Sequence, residues 1–231
     1  MPSPPENFLN VLDEIQSKLM DLLPSLTSKL STLSDNELSL IARELDFFQE
    51  LNRFGYSEAL DDLMTKYDDK ATEIFAEASK RNLKVSVGTA RSLELIKELD
   101  ATTLLGRASE YSSKLKSELL RGIISGESSE NISKRLMESI GKELSSSSVN
   151  MIVNDSFARF SNSATFKAFA DNPEQKYKYI GVLDGVTRDV CKAVLTSKQN
   201  QTGFTEDEID SLPVRKDTRG GFNCRHDWVL A

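Results

Sequence analysis

The residue types able to do chemistry gather near one end of this chain. The segment GGFNCRHDWVL holds one of the two cysteines, Cys224, and the single histidine, His226, with Arg225 between them. The other cysteine, Cys191, closes the upstream stretch YKYIGVLDGVTRDVC. Zinc favours thiolate and imidazole ligands, and a structural site takes four. Cys191, Cys224 and His226 supply three, and Asp184 or Asp189 is available as a fourth. Side chains two apart on an extended chain face the same way, so Cys224 and His226 can share a ligand or pack together. No CxxC pair is present and the ligand set is one short, so zinc is expected to be absent or weakly held. The matching expectation is two buried cysteines and one hydrogen-bonded histidine closing a small core.

Three other groupings deserve a chemical reading. Asp184, Arg188 and Arg225 can form bidentate pairs that tie a turn to a helix and a terminal strand. The alternative is a catalytic carboxylate beside a phosphate-binding arginine, but charged pairs at turns commonly hold geometry. Cys191 with His226 can be drawn as a nucleophilic pair, although no oxyanion-hole signature accompanies it. Arg215, Lys216, Arg219 and Arg225 cluster near Phe222 and Trp228, a grouping that can touch nucleic acid, sit in solvent or face an acidic partner. There is no P-loop, dinucleotide fingerprint or HExxH.

These residues must be positioned by a largely helical chain. Of 231 residues, 39% are hydrophobic and 28% charged, with only 11 glycines and 6 prolines, which argues against a loop-rich all-β fold. The formal charge of -7 argues against duplex binding by bulk electrostatics. Two cysteines in a chain of this length are not a disulfide framework. The start MPSPPENFLN has no positive n-region, and no run approaches the roughly 20 apolar residues that span a bilayer, so neither a secretory signal nor membrane insertion is expected.

Apolar residues at three- and four-residue steps predict a first helix over 7–33, with Pro24 kinking or splitting it. A capping box at Ser34–Glu37 predicts a second helix ending near Gly55, and Ser57 a third reaching Arg81. A long helix is expected from Thr89 to Ile124, with Gly106 its weak point, then one capped by Ser128 or Ser129, and one from Ser147 to Ala170. Tyr177–Leu183 has strand composition, Asp184-Gly185 marks a turn, and Thr187 and Thr205 are candidate caps of short helices. The final residues, His226–Leu230, again look like a strand and should pair with 177–183. The expected fold is mainly α: an elongated helical bundle over 1–125, followed by 126–231, which ends in a small α+β module.

The second half resembles the phage Mu F-like minor head, or head morphogenesis, family. The resemblance rests on the order of Gly126-Glu127-Ser128, the helix ISKRLMESI, the helix NDSFARFSNSATFKAF, an aromatic strand ending in Asp184, Thr187-Arg188, Cys191, Pro213 and Asn223-Cys224-Arg225-His226. It covers about residues 115–231. The chain departs from the family pattern at Asn154-Asp155-Ser156 and lacks a second cysteine soon after Cys191. The resemblance implies a non-enzymatic virion component associated with portal or capsid protein, acting in head assembly or DNA delivery, without a cofactor. Asp184, Arg188, Cys191, Cys224, Arg225 and His226 would form its structural C-terminal cluster. The leucine stripe of the first helix and Phe47-Phe48 suggest self-association or docking through the N-terminal helices. The competing reading is a small metal-dependent hydrolase or nuclease built on Cys191, Asp184 and His226.

Overall fold

Among the described residues up to 170 the chain is largely helical and the strand-like texture beyond them is realised, but the second helix begins at Phe47, after a non-helical Leu45-Asp46, rather than continuing from the Ser34–Glu37 box. The computed structural model describes residues 4–30, 45–143, 147–216, 219–221 and 224–231. In order, the elements are α1 (Pro4–Leu30), α2 (Phe47–Arg53), α3 (Tyr56–Lys80), α4 (Val87–Ile124), α5 (Ser129–Glu143), α6 (Ser147–Ala168), β1 (Tyr177–Gly181), α7 (Asp189–Leu195), α8 (Lys198–Thr202), α9 (Glu206–Asp210) and β2 (His226–Leu230). The fold is mainly α with a small C-terminal α+β module. None of the described helices is long and apolar enough to cross a membrane.

The chain divides into two compact units, Met1–Leu63 with Ala101–Asn150, and Met64–Asp100 with Met151–Ala231. The sequence suggested consecutive segments, 1–125 and 126–231. Helices α3, α4 and α6 instead each contribute residues to both units. Periodicity along a helix tells which face is buried but not which neighbour buries it.

In the first unit α1 buries Phe8, Leu12, Ile15, Leu19 and Leu23 along one face. Alpha-helix α5 packs along α1, with Ile132, Leu136 and Ile140 buried. Pro24 does not split α1. The helix runs on to Leu30, with Leu19 and Leu23 fully buried on the preceding turns. Phe47 and Leu51 of α2 are buried as well, and the Asp46 carboxylate caps that helix by accepting from the Phe48 and Gln49 amides. The Ser34–Glu37 capping box lies outside the described residues. Among the described residues the α1 stripe and Phe47 are buried, and Phe48 is half-buried, inside this unit. Its exposed large apolar residues, among those described, are Leu105 and Ile124.

Several caps differ from expectation by a residue or more. Ser86 opens α4, its hydroxyl accepting from the Thr89 amide at 3.0 Å. Ser57 lies inside α3 and donates to Asn52 Oδ1 at 2.7 Å instead of capping. Gly106 leaves α4 unbroken.

In the second unit Tyr67 is fully buried and packs against Phe157 and Phe160, with ring centroids 5.1 and 4.6 Å away. Its hydroxyl donates to Asp100 Oδ2 at 3.3 Å, and Arg159 pairs with the other oxygen of that buried carboxylate. Phe166 of α6 stacks on Tyr177 at 4.4 Å and so meets the start of β1.

Strands β1 and β2 are antiparallel, with Tyr177 opposite Leu230, Tyr179 opposite Trp228 and Gly181 opposite His226. The period of two sends Tyr177, Tyr179, His226 and Trp228 inward. Phe204 closes the outer edge of β1 through two 2.8 Å backbone hydrogen bonds with Tyr177. Asn200 does the same for Tyr179, accepting from its amide at 2.8 Å and donating to its carbonyl at 2.9 Å. Thr205 and Glu208 form the capping box of α9.

Candidate functional site

The site is assembled where β1, α7 and the approach to β2 converge. Strand β1 ends at Gly181, two residues short of expectation, because the chain turns away from the ladder there. The Gly181 φ is +152°, and a Cβ at this position would lie 2.3 Å from His226 Cδ2 and 2.8 Å from the Arg225 carbonyl oxygen. Only glycine lets the His226 ring lie this close to the strand. The Val182 carbonyl, released from the ladder, accepts from the Thr187 hydroxyl at 3.0 Å and from His226 Nε2 at 2.8 Å. Thr187 is therefore a turn residue rather than a helix cap. The N-cap of α7 is Arg188, which makes no side-chain cap bond.

The bond from Nε2 fixes the orientation of the imidazole ring. A carbonyl can only accept, so Nε2 carries a proton and donates outward, and Nδ1 is the nitrogen that faces the sulfurs. Nδ1 lies 3.4 Å from Cys224 Sγ. Cys224 and His226 share a face, as the two-residue step of extended chain requires. Cys191, from the first turn of α7, brings its Sγ to 3.7 Å from that of Cys224, and both thiols are free. All three residues are buried, and one ligand atom from each lies within 4.8 Å of the others.

The fourth member was not foreseen. Tyr179 points inward from the middle of β1, and its hydroxyl contacts Cys191 Sγ at 3.4 Å and Cys224 Sγ at 3.3 Å. Its ring stacks on His226 with centroids 5.5 Å apart. Alternation of Tyr177 and Tyr179 was the available signal, since it places both rings on the core side. Gly220 is the second unforeseen participant. Its amide donates to Cys224 Sγ at 3.4 Å, and a Cβ there would sit 2.0 Å from Cys191 Sγ.

These neighbours separate the two thiols electrically. Burial raises Cys224, but hydrogen bonds from Tyr179, His226 and the Gly220 amide outweigh it and bring the thiol down to about 7. Cys191 is pushed up, chiefly by burial. Burial and then the two sulfurs push the Tyr179 hydroxyl far above its usual range.

The charged residues are arranged differently from expectation. Asp184 stands outside the sulfur cluster, its oxygens taken by Arg225 at 2.8 and 2.7 Å, by the Val186 amide at 3.1 Å and by Thr187 at 3.0 Å. The Arg225 guanidinium holds the Asp184 carboxyl well below the usual carboxylate range. Neither Asp184 nor Asp189 joins the sulfur–imidazole group among the described residues. Arg188 does not take the Asp184 carboxylate but donates to the Gly220 carbonyl at 3.1 Å, bracing the glycine that covers the thiols.

The basic cluster is largely neutralised from within. Lys216 pairs with Glu206 at 2.7 Å and Asp210 at 3.0 Å. Arg219 is only 5% exposed and donates to Asp155 at 2.8 Å, to Asp227 at 3.1 Å and to the His226 carbonyl at 3.2 Å. Phe222, proposed as their aromatic neighbour, and Asn223 of the resemblance lie outside the described residues. Comparison of the chain with protein-family models, curated proteins and solved structures finds no match.

Proposed function

We propose that this chain is a structural head-morphogenesis protein of a double-stranded DNA phage, of the Mu F-like kind, held in the virion head in contact with portal or capsid protein. One observation carries the reading. Of the residues on which the resemblance rests, Asp184, Cys191, Cys224, Arg225 and His226 lie up to about forty positions apart in sequence, yet they meet in one module and serve its closure. Asp184 and Arg225 clamp the turn after β1 to the segment entering β2. Cys191, Cys224 and His226 fill the space between α7 and the sheet.

The placement of these groups favours a structural role over hydrolysis. Both thiols and the imidazole are buried, and Asp184, which the hydrolase reading needs beside them, is committed to Arg225 outside the cluster. A catalytic carboxylate needs reach to a substrate and a proton to move. The acidic net charge and the internal pairing of Lys216, Arg219 and Arg225 fit a protein-facing role better than tight nucleic-acid binding.

The test is the location of the chain. Quantitative mass spectrometry of purified heads and proheads, made by the genome that encodes it, should find it at low copy beside the portal protein. Its absence from both particles would refute the proposal, and so would hydrolase or nuclease activity that disappears with Cys191→Ser.

A further inference from the structure

We propose that Cys191, Cys224, His226 and Tyr179 form a tetrahedral zinc site that closes the C-terminal module. The inference rests on separations between donor atoms. With Zn–S about 2.3 Å and Zn–N or Zn–O about 2.0 Å, a tetrahedron has S···S edges of about 3.8 Å and S···N and S···O edges of about 3.5 Å. The corresponding separations here are 3.7 Å between the sulfurs, 3.4 Å from Cys224 Sγ to His226 Nδ1, and 3.3 and 3.4 Å from the Tyr179 hydroxyl to the two sulfurs. Four of the six edges thus lie within about 0.2 Å of zinc dimensions. All three sulfur and imidazole ligand atoms lie within 4.8 Å of one another, so the edge from Cys191 to the imidazole closes by about 1 Å on binding.

The surroundings are those of a ligand set. His226 Nε2 donates to the Val182 carbonyl, the arrangement that orients metal-bound imidazoles, and leaves Nδ1 as the nitrogen turned toward the sulfurs. The Gly220 amide points at Cys224 Sγ, as a donor to a thiolate does. Gly220 leaves no room for a Cβ beside Cys191, so the ion would be enclosed, as structural zinc is. Neither carboxylate near in sequence, Asp184 or Asp189, takes the fourth place. The structure puts a phenol there.

The inference does not depend on the virion reading, since a zinc site can close this module in any setting. Cobalt(II) titrated into the full chain, freed of metal under reducing conditions, is the direct probe. The expected result is one cobalt per chain with thiolate-to-cobalt charge-transfer absorption, tetrahedral d–d bands, and displacement of both by zinc. Chelator should lower the melting temperature of the parent but not of Cys191→Ser. Tyr179→Phe should retain the charge-transfer band while binding zinc roughly 10- to 100-fold more weakly. The proposal is overturned if the wild-type chain takes up no stoichiometric cobalt or zinc while both thiols titrate as free, or if Cys191 and Cys224 are isolated as a disulfide that reduction does not convert to a metal-binding form. A Tyr179→Phe chain that binds as tightly as the parent removes Tyr179 from the ligand set.

Discussion

Replacing Arg219 by methionine should destabilise the second unit. Methionine preserves the length of the apolar stem and removes only the guanidinium. Its Cβ meets the same +55° φ that arginine already tolerates, so the backbone cost cancels. What is lost can be sized contact by contact. The Asp155 carboxylate, 19% exposed, loses a 2.8 Å ionic partner, and breaking a buried pair costs about 3–5 kcal/mol when the remaining charge is left alone. Asp155 keeps another contact and partial hydration, so about 2–3 kcal/mol applies here. The Asp227 arm is half-exposed and adds at most about 1 kcal/mol. The His226 carbonyl loses one hydrogen bond, about 1 kcal/mol, and a buried methionine returns a similar amount. The net expectation is about 2–4 kcal/mol. Urea unfolding of the full chain, followed by Trp228 fluorescence, reads it directly, because Trp228 lies in β2 beside this network. Paired with Asp155→Asn, the double variant should cost less than the sum of the singles by roughly 0.5–3 kcal/mol. An Arg219→Met chain within about 0.5 kcal/mol of the parent would refute the argument and return Arg219 to the solvated basic cluster suggested by its sequence neighbours.

Other expectations follow from the same geometry. Gly181→Ala combines a left-handed backbone with a Cβ 2.8 Å from a carbonyl oxygen, and should cost about 2–4 kcal/mol or leave β2 undocked, seen as loss of amide-exchange protection over 226–230. Asp100 is raised above the ordinary carboxylate value because burial outweighs its bonds to Arg159, Tyr67 and Ser156. Its contribution to stability is therefore complete below the unfolded value of about 3.9 and is lost as pH rises through the folded value, so the advantage of the parent over Asp100→Asn should shrink from pH 4 to pH 7. A constant or growing advantage would show the pair to outweigh burial. Asp184 has the opposite sign, held low first by Arg225, so Arg225→Ala should move its carboxyl titration, followed by NMR, up toward the ordinary range. Because this pair is exposed, the effect on melting temperature should be small and should vanish at high salt.

Local rules made much of this protein legible without coordinates. Leucine and isoleucine spacing marks α1, α3, α4 and α5 because a 3.6-residue repeat projects one apolar stripe, whatever that stripe later meets. Alternation and aromatic composition identify β1 and β2 and place Cys224 and His226 on one face. Thr205 caps α9 because a hydroxyl and a carboxylate three residues apart satisfy amides of their own turn. Each of these interactions spans four residues or fewer. Everything decided across longer separations was invisible in the sequence. Pairing of Arg219 with Asp155 crosses 64 positions and that of Arg225 with Asp184 crosses 41. Each charge has many carboxylates in reach of an unfolded chain, and the docked helices alone select among them. The two units interleave along the chain because helix faces choose their neighbours by shape and buried area, which no local pattern encodes. Tyr179 belongs to the sulfur cluster for the same reason: alternation turns it inward, but only the packing of α7 against β1 and the close approach of Gly220 bring both thiols to its hydroxyl.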